Sequence, residues 1–247
     1  MIFYKNYIIR DNIIKTGENK TLINACKKND IETVEYILHY SFDRNILNNL
    51  LKYITKDIII FLQKKKNFNI NIIDYNRWNI FTFACYNNNL NLVKFLINKI
   101  NVNLRDKIGM TPFMIACSNN NLDIVKYLHD KVNIYTLDKQ KKNALMVACY
   151  NGHLDIVKFL VENTNLDINS QCIYSLTPIL YSICEGHLHI IKYLYDKCNI
   201  YTKVDCLLFA YKTQNTKIIH FLLFNEIKKL NILSNDLIYL TIKYIKN

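Results

Sequence analysis

Eight cysteines and six histidines are the side chains of this 247-residue chain whose chemistry could go beyond packing. Four of the thiols, Cys26, Cys85, Cys117 and Cys149, each stand directly after an alanine. A ladder of thiols could hold a metal or pair into disulfides. Equivalent helices in neighbouring units should lie about 8–10 Å apart, whereas a disulfide needs Cα atoms within about 7 Å. Such a ladder cannot staple itself, and thiols filling a narrow buried slot are the better account. Cys172, Cys184, Cys198 and Cys206 form no C-x-x-C pair, so a zinc site has little support. Cys184-Glu185-Gly186-His187, with His189 just beyond, has the composition of a metal or Cys/His nucleophile cluster. No Gly-rich phosphate loop, Gly-x-Ser-x-Gly elbow or His-Glu-x-x-His motif accompanies it. The chain is therefore expected to be no enzyme, with no catalytic residue, no metal and no cofactor.

The elements that hold these side chains recur. DYNRWNIFTFACYNNNLNLVKFL (74–96), DKIGMTPFMIACSNNNLDIVKYL (106–128) and DKQKKNALMVACYNGHLDIVKFL (138–160) align without gaps, and CIYSLTPILYSICEGHLHIIKYL (172–194) follows in register. The small residues Ala84, Ala116, Ala148 and Ser182 mark a spacing of 32, 32 and 34. Asn79, Thr111, Asn143 and Thr177 share one position from which a side-chain oxygen can cap a helix. Pro112 and Pro178 follow at the first helical position, where a missing N–H costs nothing. Four residues after the marker stand Asn88, Asn120, Gly152 and Gly186, types that tolerate the positive φ of a sharp helix-ending turn. A second helix then buries one stripe, such as Leu122, Val125 and Leu128. Each unit has one apolar face too many to exist alone, so it must stack.

Bulk composition agrees. With 51% hydrophobic residues but only 4 glycines and 2 prolines, helices joined by short polar loops are expected rather than a turn-rich sandwich. Lys+Arg exceed Asp+Glu by 32 to 20, a formal charge of +12. Only Arg10, Arg44, Arg77 and Arg105 are arginines, whereas nucleic-acid readers lean on the bidentate arginine fork. Asn, Ile, Lys and Tyr, all from A/T-rich codons, are abundant, and codon composition accounts for much of the excess. Residues 1–9 lack the pattern of a secretory signal, and no stretch nears about 18 uninterrupted apolar residues. An intracellular, cytoplasmic protein that does not span a membrane is the expectation.

On the 32–34-residue spacing, the TPF and TPI starts and the GHLDIV loop, the sequence resembles the ankyrin-repeat family. Its Asn/Ile/Lys-rich style is similar to the ankyrin-repeat proteins of giant DNA viruses, which would place it in host cytoplasm. The resemblance covers about residues 20–226 and implies an all-α solenoid of stacked helix-turn-helix units with short β-hairpin fingers. Domains follow as an N-terminal extension (1–19), the repeats (20–226, clearest over 74–204) and a capping helix or extension (227–247). Worn repeats are expected at 21–38, at 50–62 with Leu50 as marker, and at 205–224 with Ala210 as marker. The 25 residues from Ala25 to Leu50 leave little room for a finger. Met114, Met146 and Leu180 replace the family's motif histidine, so its inter-repeat bonds should be lost. The finger-turn glycine survives only as Gly109, and Arg77, Lys141 and Ser175 in its place suggest irregular fingers. The family's histidine in the inter-helix loop is structural, which implies the same for His153 and His187.

The resemblance also implies where a partner would bind, since ankyrin finger tips and the exposed side of the first helix contact partners. Matched residue by residue, these positions are Tyr75, Asn76, Trp78 and Tyr86, then Lys107, Ile108, Met110 and Ser118. Lys139, Gln140, Lys142 and Tyr150 follow, and then Tyr174 and Leu176. Trp and Tyr are frequent interface anchors, and the lysines beside them suit an acidic or mixed-charge protein surface. Tyr and Lys are also common throughout the chain. The leading expectation is a scaffold that binds a protein through its concave face. A basic nucleic-acid-associated protein is the alternative. The tail LSNDLIYLTI (233–242) also faintly resembles the opening of F-box-like segments, which would make the chain a ubiquitin-ligase adaptor. The other reading of that tail is a terminal helix capped by Ser234 or Asn235, with Ile238, Leu240 and Ile242 partly packed on the last repeat.

Overall fold

The computed structural model describes residues 18–40, 50–64 and 69–229. Their helices are α1 (Glu18–Lys28), α2 (Ile31–Tyr40), α3 (Lys56–Lys64), α4 (Ile80–Tyr86), α5 (Leu90–Leu96), α6 (Pro112–Ser118) and α7 (Leu122–Leu128). They continue with α8 (Ala144–Tyr150), α9 (Leu154–Asn163), α10 (Pro178–Cys184), α11 (Leu188–Leu194), α12 (Ile200–Lys212) and α13 (Thr216–Lys229). No described residue lies in a strand. The fold is an all-α repeat solenoid. No described helix is long and apolar enough to cross a membrane.

The helices start and stop where local chemistry dictates. Asn79 Oδ1 accepts the Thr82 N–H at 2.9 Å and Asn143 Oδ1 that of Met146 at 2.8 Å, while Thr111 Oγ1 accepts from Met114 at 3.3 Å. Thr177 departs from the expected cap. Its backbone is extended, but its hydroxyl makes no cap bond and is buried without a partner. Pro178 at the first helical position presets φ and starts α10 without it. The inter-helix turns rest on Asn88, Asn120, Gly152 and Gly186, all at positive φ as their residue types suggest.

Two compact units divide the chain, Met1–Ala116 with Asp123–Asn133, and Cys117–Leu122 with Ile134–Asn247. In the first, α1 packs on α2, α2 on α3 and α4 on α5. Leu50, at the worn marker position, is fully buried. The shortened connection into it lies in 41–49, outside the described residues. In the second unit α8 packs on α10 and α10 on α12, each first helix against the next, while α9, α11 and α13 support them. The last repeat has no finger. A short 3-10 turn (Tyr195–Lys197) leads to Asn199, whose side chain caps α12 by accepting the Thr202 N–H at 2.8 Å. That missing finger explains why only 28 residues separate Ser182 from Ala210. α13 runs on past residue 226 to Lys229. The extension before residue 18 and the tail from residue 230 lie outside the described residues.

Candidate functional site

Each finger is a tight turn rather than a hairpin of two strands. Five residues span it, and two main-chain bonds close it. The outer bond runs from Asp74 N–H to Trp78 O at 2.8 Å, Asp106 to Met110 at 3.0 Å, Asp138 to Lys142 at 2.9 Å and Cys172 to Leu176 at 3.1 Å, and the inner one from the N–H of Arg77, Gly109, Lys141 and Ser175 back to the carbonyl of the same first residue. The turn residue has positive φ in all four: Arg77 (66°), Gly109 (89°), Lys141 (59°) and Ser175 (58°). The fingers without glycine are thus regular, contrary to expectation. An L-residue in this region costs about 1 kcal/mol or more, and a side-chain acceptor at the start of the finger compensates. Asp138 Oδ1 takes the N–H groups of Gln140 and Lys142, both at 2.8 Å. Asp106 Oδ1 takes those of Ile108 and Met110, and Asp74 Oδ1 that of Trp78 at 2.6 Å. In the fourth finger Cys172 Sγ substitutes, accepting from the Tyr174 N–H at 3.3 Å and the Tyr181 hydroxyl at 3.2 Å. These finger-closing residues were missed in the sequence, although Asp74, Asp106 and Asp138 repeat at the marker spacing.

In the first unit the Lys107 N–H donates to Asn76 O at 3.1 Å, which ties two fingers together. The Lys107 ammonium stands over the Tyr75 ring. Tyr75, Asn76, Lys107 and Ile108 are exposed, with Tyr75 at 62% and Ile108 at 57%. Trp78 is half-buried. Its indole packs edge-on against Phe83 and tilted against Tyr86, with centroids 5.1 and 5.3 Å apart, and its N–H points to Asp106 Oδ2 at 3.4 Å. Met110 is half-buried at the base of its finger and Tyr86 is exposed at the end of α4.

In the second unit the Ile173 N–H donates to Gln140 O at 2.9 Å and joins its two fingers in the same way. Lys139, Gln140 and Tyr174 are exposed at the tips, while Lys142 and Leu176 are half-buried at the finger bases. Lys142 Nζ lies 3.5 Å from Asp138 Oδ2. Tyr150, exposed at the end of α8, packs edge-on against the buried Tyr181. Ser118 is half-buried, and its hydroxyl accepts from Asn151 Nδ2 at 3.3 Å.

Three histidines of the second unit bond main-chain carbonyls. His153 Nε2 bonds Ser118 O at 2.9 Å, His187 Nε2 bonds Tyr150 O at 2.9 Å and His189 Nε2 bonds Gly152 O at 3.1 Å. A carbonyl only accepts, so each Nε2 carries the proton. Cys26, Cys85, Cys117 and Cys149 are buried, and burial pushes the Cys26 thiol up to about 12 and those of Cys117 and Cys149 further. Cys184 is exposed. Partial burial, and then the neighbouring Glu185 charge, raise its pKa, the opposite of what activates a nucleophile. Among the described residues no group of three or more His, Cys, Asp or Glu side chains could hold a metal ion.

A family model described as Ankyrin repeats (3 copies) matches residues 22–106 and 81–172, together more than half of the chain. Comparison with curated proteins finds no match.

Proposed function

The chain belongs to the ankyrin-repeat family, and on that premise we propose that it is a non-enzymatic scaffold that binds an acidic or mixed-charge protein surface through its finger tips. Ankyrin repeats generally mediate protein–protein interaction. The finger tips and first-helix ends are the side of the repeat that the family presents to partners.

One observation carries the charge of the partner. Asp74, Asp106 and Asp138 are turned back onto N–H groups of their own fingers. What the tips present to solvent is therefore cationic and apolar: Arg77 with Tyr75, Lys107 with Ile108, Lys139 and Lys141, and Tyr174. Aromatic burial supplies binding energy, and the cations steer encounter with an acidic surface. The buried thiols fit an intracellular setting.

The test is affinity capture from cell lysate, with and without nuclease. It compares the intact chain with a triple variant, Ile108→Glu, Lys139→Glu and Tyr174→Ser, and with Lys126→Glu on a second helix as control. A partner that survives nuclease, is lost with the triple variant and is kept by the control supports the scaffold reading. Partners unchanged in the triple variant refute the finger-tip assignment. Loss of all partners with nuclease would assign the basic charge to nucleic acid.

A further inference from the structure

The second helices of the first unit carry a pattern that the finger tips do not explain. The half-buried Phe95 ring of α5 lies under two ammonium groups, Lys56 of α3 at 5.4 Å and Lys99, just past α5, at 3.9 Å. The half-buried Tyr127 ring of α7 repeats the arrangement, under Lys94 of α5 at 5.5 Å and Lys131, just past α7, at 4.9 Å. Each ring thus takes one lysine from the helix before it and one from the turn after its own helix. A cation within about 6 Å of a ring centroid is attracted to its face, so these exposed lysines are held near fixed positions.

The surface so built is cationic and has no apolar anchor. Over residues 56–64, 90–100 and 122–131 six lysines stand against three aspartates. Asp57 Oδ2 accepts from Asn29 Nδ2 at 3.0 Å, and Asp130 is paired with Lys131 at 2.7 Å. α5 itself has no acidic residue. The corresponding helices of the second unit are balanced, with three lysines and three acidic residues over 154–163 and 188–197. No apolar side chain of α3, α5 or α7 is exposed, in contrast to Tyr75 and Ile108 at the finger tips.

We propose that this second-helix face of the first unit binds the phosphate backbone of duplex nucleic acid without reading its sequence. A protein interface is built around an apolar or aromatic core, which this face lacks and the finger tips have. Single strands are held by rings open to stacking bases, whereas Phe95 and Tyr127 lie beneath ammonium groups. Lysines neutralise phosphates as point charges. α3, α5 and α7 contain no arginine, the side chain whose fork reads guanine edges. Neighbouring helices stand about 8–10 Å apart, which sets Lys56 and Lys94 in a row along the stack. Lysines already ordered over rings lose less freedom when they meet a row of phosphates. The finger tips take no part, so this site stands or falls independently of their protein partner.

The full chain is titrated, over a range of salt concentrations, into a fluorescent DNA duplex of about 20 base pairs and followed by anisotropy. Two variants of equal net charge are compared with it. One carries Lys56→Gln, Lys94→Gln and Lys99→Gln; the other carries Lys107→Gln, Lys139→Gln and Lys141→Gln on the fingers. All six side chains are exposed, and circular dichroism checks that both variants fold. The parent should bind with an affinity that falls steeply with salt. The second-helix variant should lose about 2–3 from the log–log slope, and the finger variant should stay close to the parent. Equal losses in the two variants would show attraction by net charge alone and overturn the proposal. A parent that fails to bind at about 50 mM salt would overturn it as well. Displacement of the duplex by poly-glutamate as readily as by unlabelled duplex would overturn it in favour of an acidic protein surface.

Discussion

The His187 ring lies over Gly152, so close that a Cβ on that glycine would come within 2.7 Å of the ring Cε1. Gly152 is also held at φ +79°, where an L side chain is strained. Gly152→Ala should cost about 2 kcal/mol or more, read as a fall in the urea midpoint. His187→Ala, which leaves the Tyr150 carbonyl without its donor, should cost about 1 kcal/mol. The double variant should lose less than the sum, because removing the ring removes the clash. Strict additivity would show that backbone strain alone sets the cost.

At Lys141 the strain runs in the other direction. The residue sits at φ 59° in a finger whose regular geometry is set by Asp138. Lys141→Gly removes the steric penalty and should raise stability by up to about 1 kcal/mol. Asp138→Ala removes the acceptor of two N–H groups and should cost about 2 kcal/mol. A destabilised Lys141→Gly would mean that the lysine stem contributes packing that outweighs its strain.

Trp78 and Tyr174, both partner-binding candidates, should separate in a stability assay. Trp78 is built into a ring cluster with Phe83 and Tyr86, and truncation to alanine should cost about 2–3 kcal/mol. Tyr174 is exposed at the tip of its finger, and Tyr174→Ala should stay within about 0.5 kcal/mol of the parent. Loss of binding by Tyr174→Ala therefore reports on the interface, whereas loss by Trp78→Ala mixes interface and fold. Equal stability losses for the two would contradict the packing described for Trp78.

Alkali should unfold the protein through its thiols. Burial pushes Cys198 up to about 11, Cys26 up to about 12, and Cys117, Cys149 and Cys206 further. In the unfolded chain a thiol ionises near pH 8.5 or so. The folded values are raised, so this contribution is intact below that pH and is lost as pH climbs toward the folded values. Each such thiol should remove about 1.4 kcal/mol per pH unit in that window. Urea melts at pH 8 and pH 10 should show a smaller fall for Cys117→Ala than for the parent. The same fall in both would exclude the thiol as the titrating group.

Much of this was legible in the sequence because it depends on residue type at a fixed spacing. The marker alanines, the Asn and Gly turns and the capping asparagines each state their backbone conformation alone. Thr177 did not, because whether a hydroxyl caps or lies idle depends on a rotamer that Pro178 leaves free. The fingers were misjudged for a related reason. Arg77, Lys141 and Ser175 were weighed as missing glycines, while the aspartates that close those turns stand three residues earlier, or as Cys172 in the last finger. The exposure of Leu208 and Tyr211 was illegible, since their identities match a buried role and only the surroundings of α12 reveal the difference. Which tip residues are spoken for by the fold, as Trp78 is, was likewise a matter of neighbours rather than of type.

The bonds that close the fingers have a consequence for how such a protein can change over generations. Asp74, Asp106 and Asp138 hold each turn from its base, so exposed tip side chains between base and turn are expected to contribute little to folding. Substitutions at Asn76, Ile108, Gln140 or Tyr174 can be tried one at a time without endangering the scaffold beneath. A lineage could rewrite these fingertips while inheriting its architecture intact.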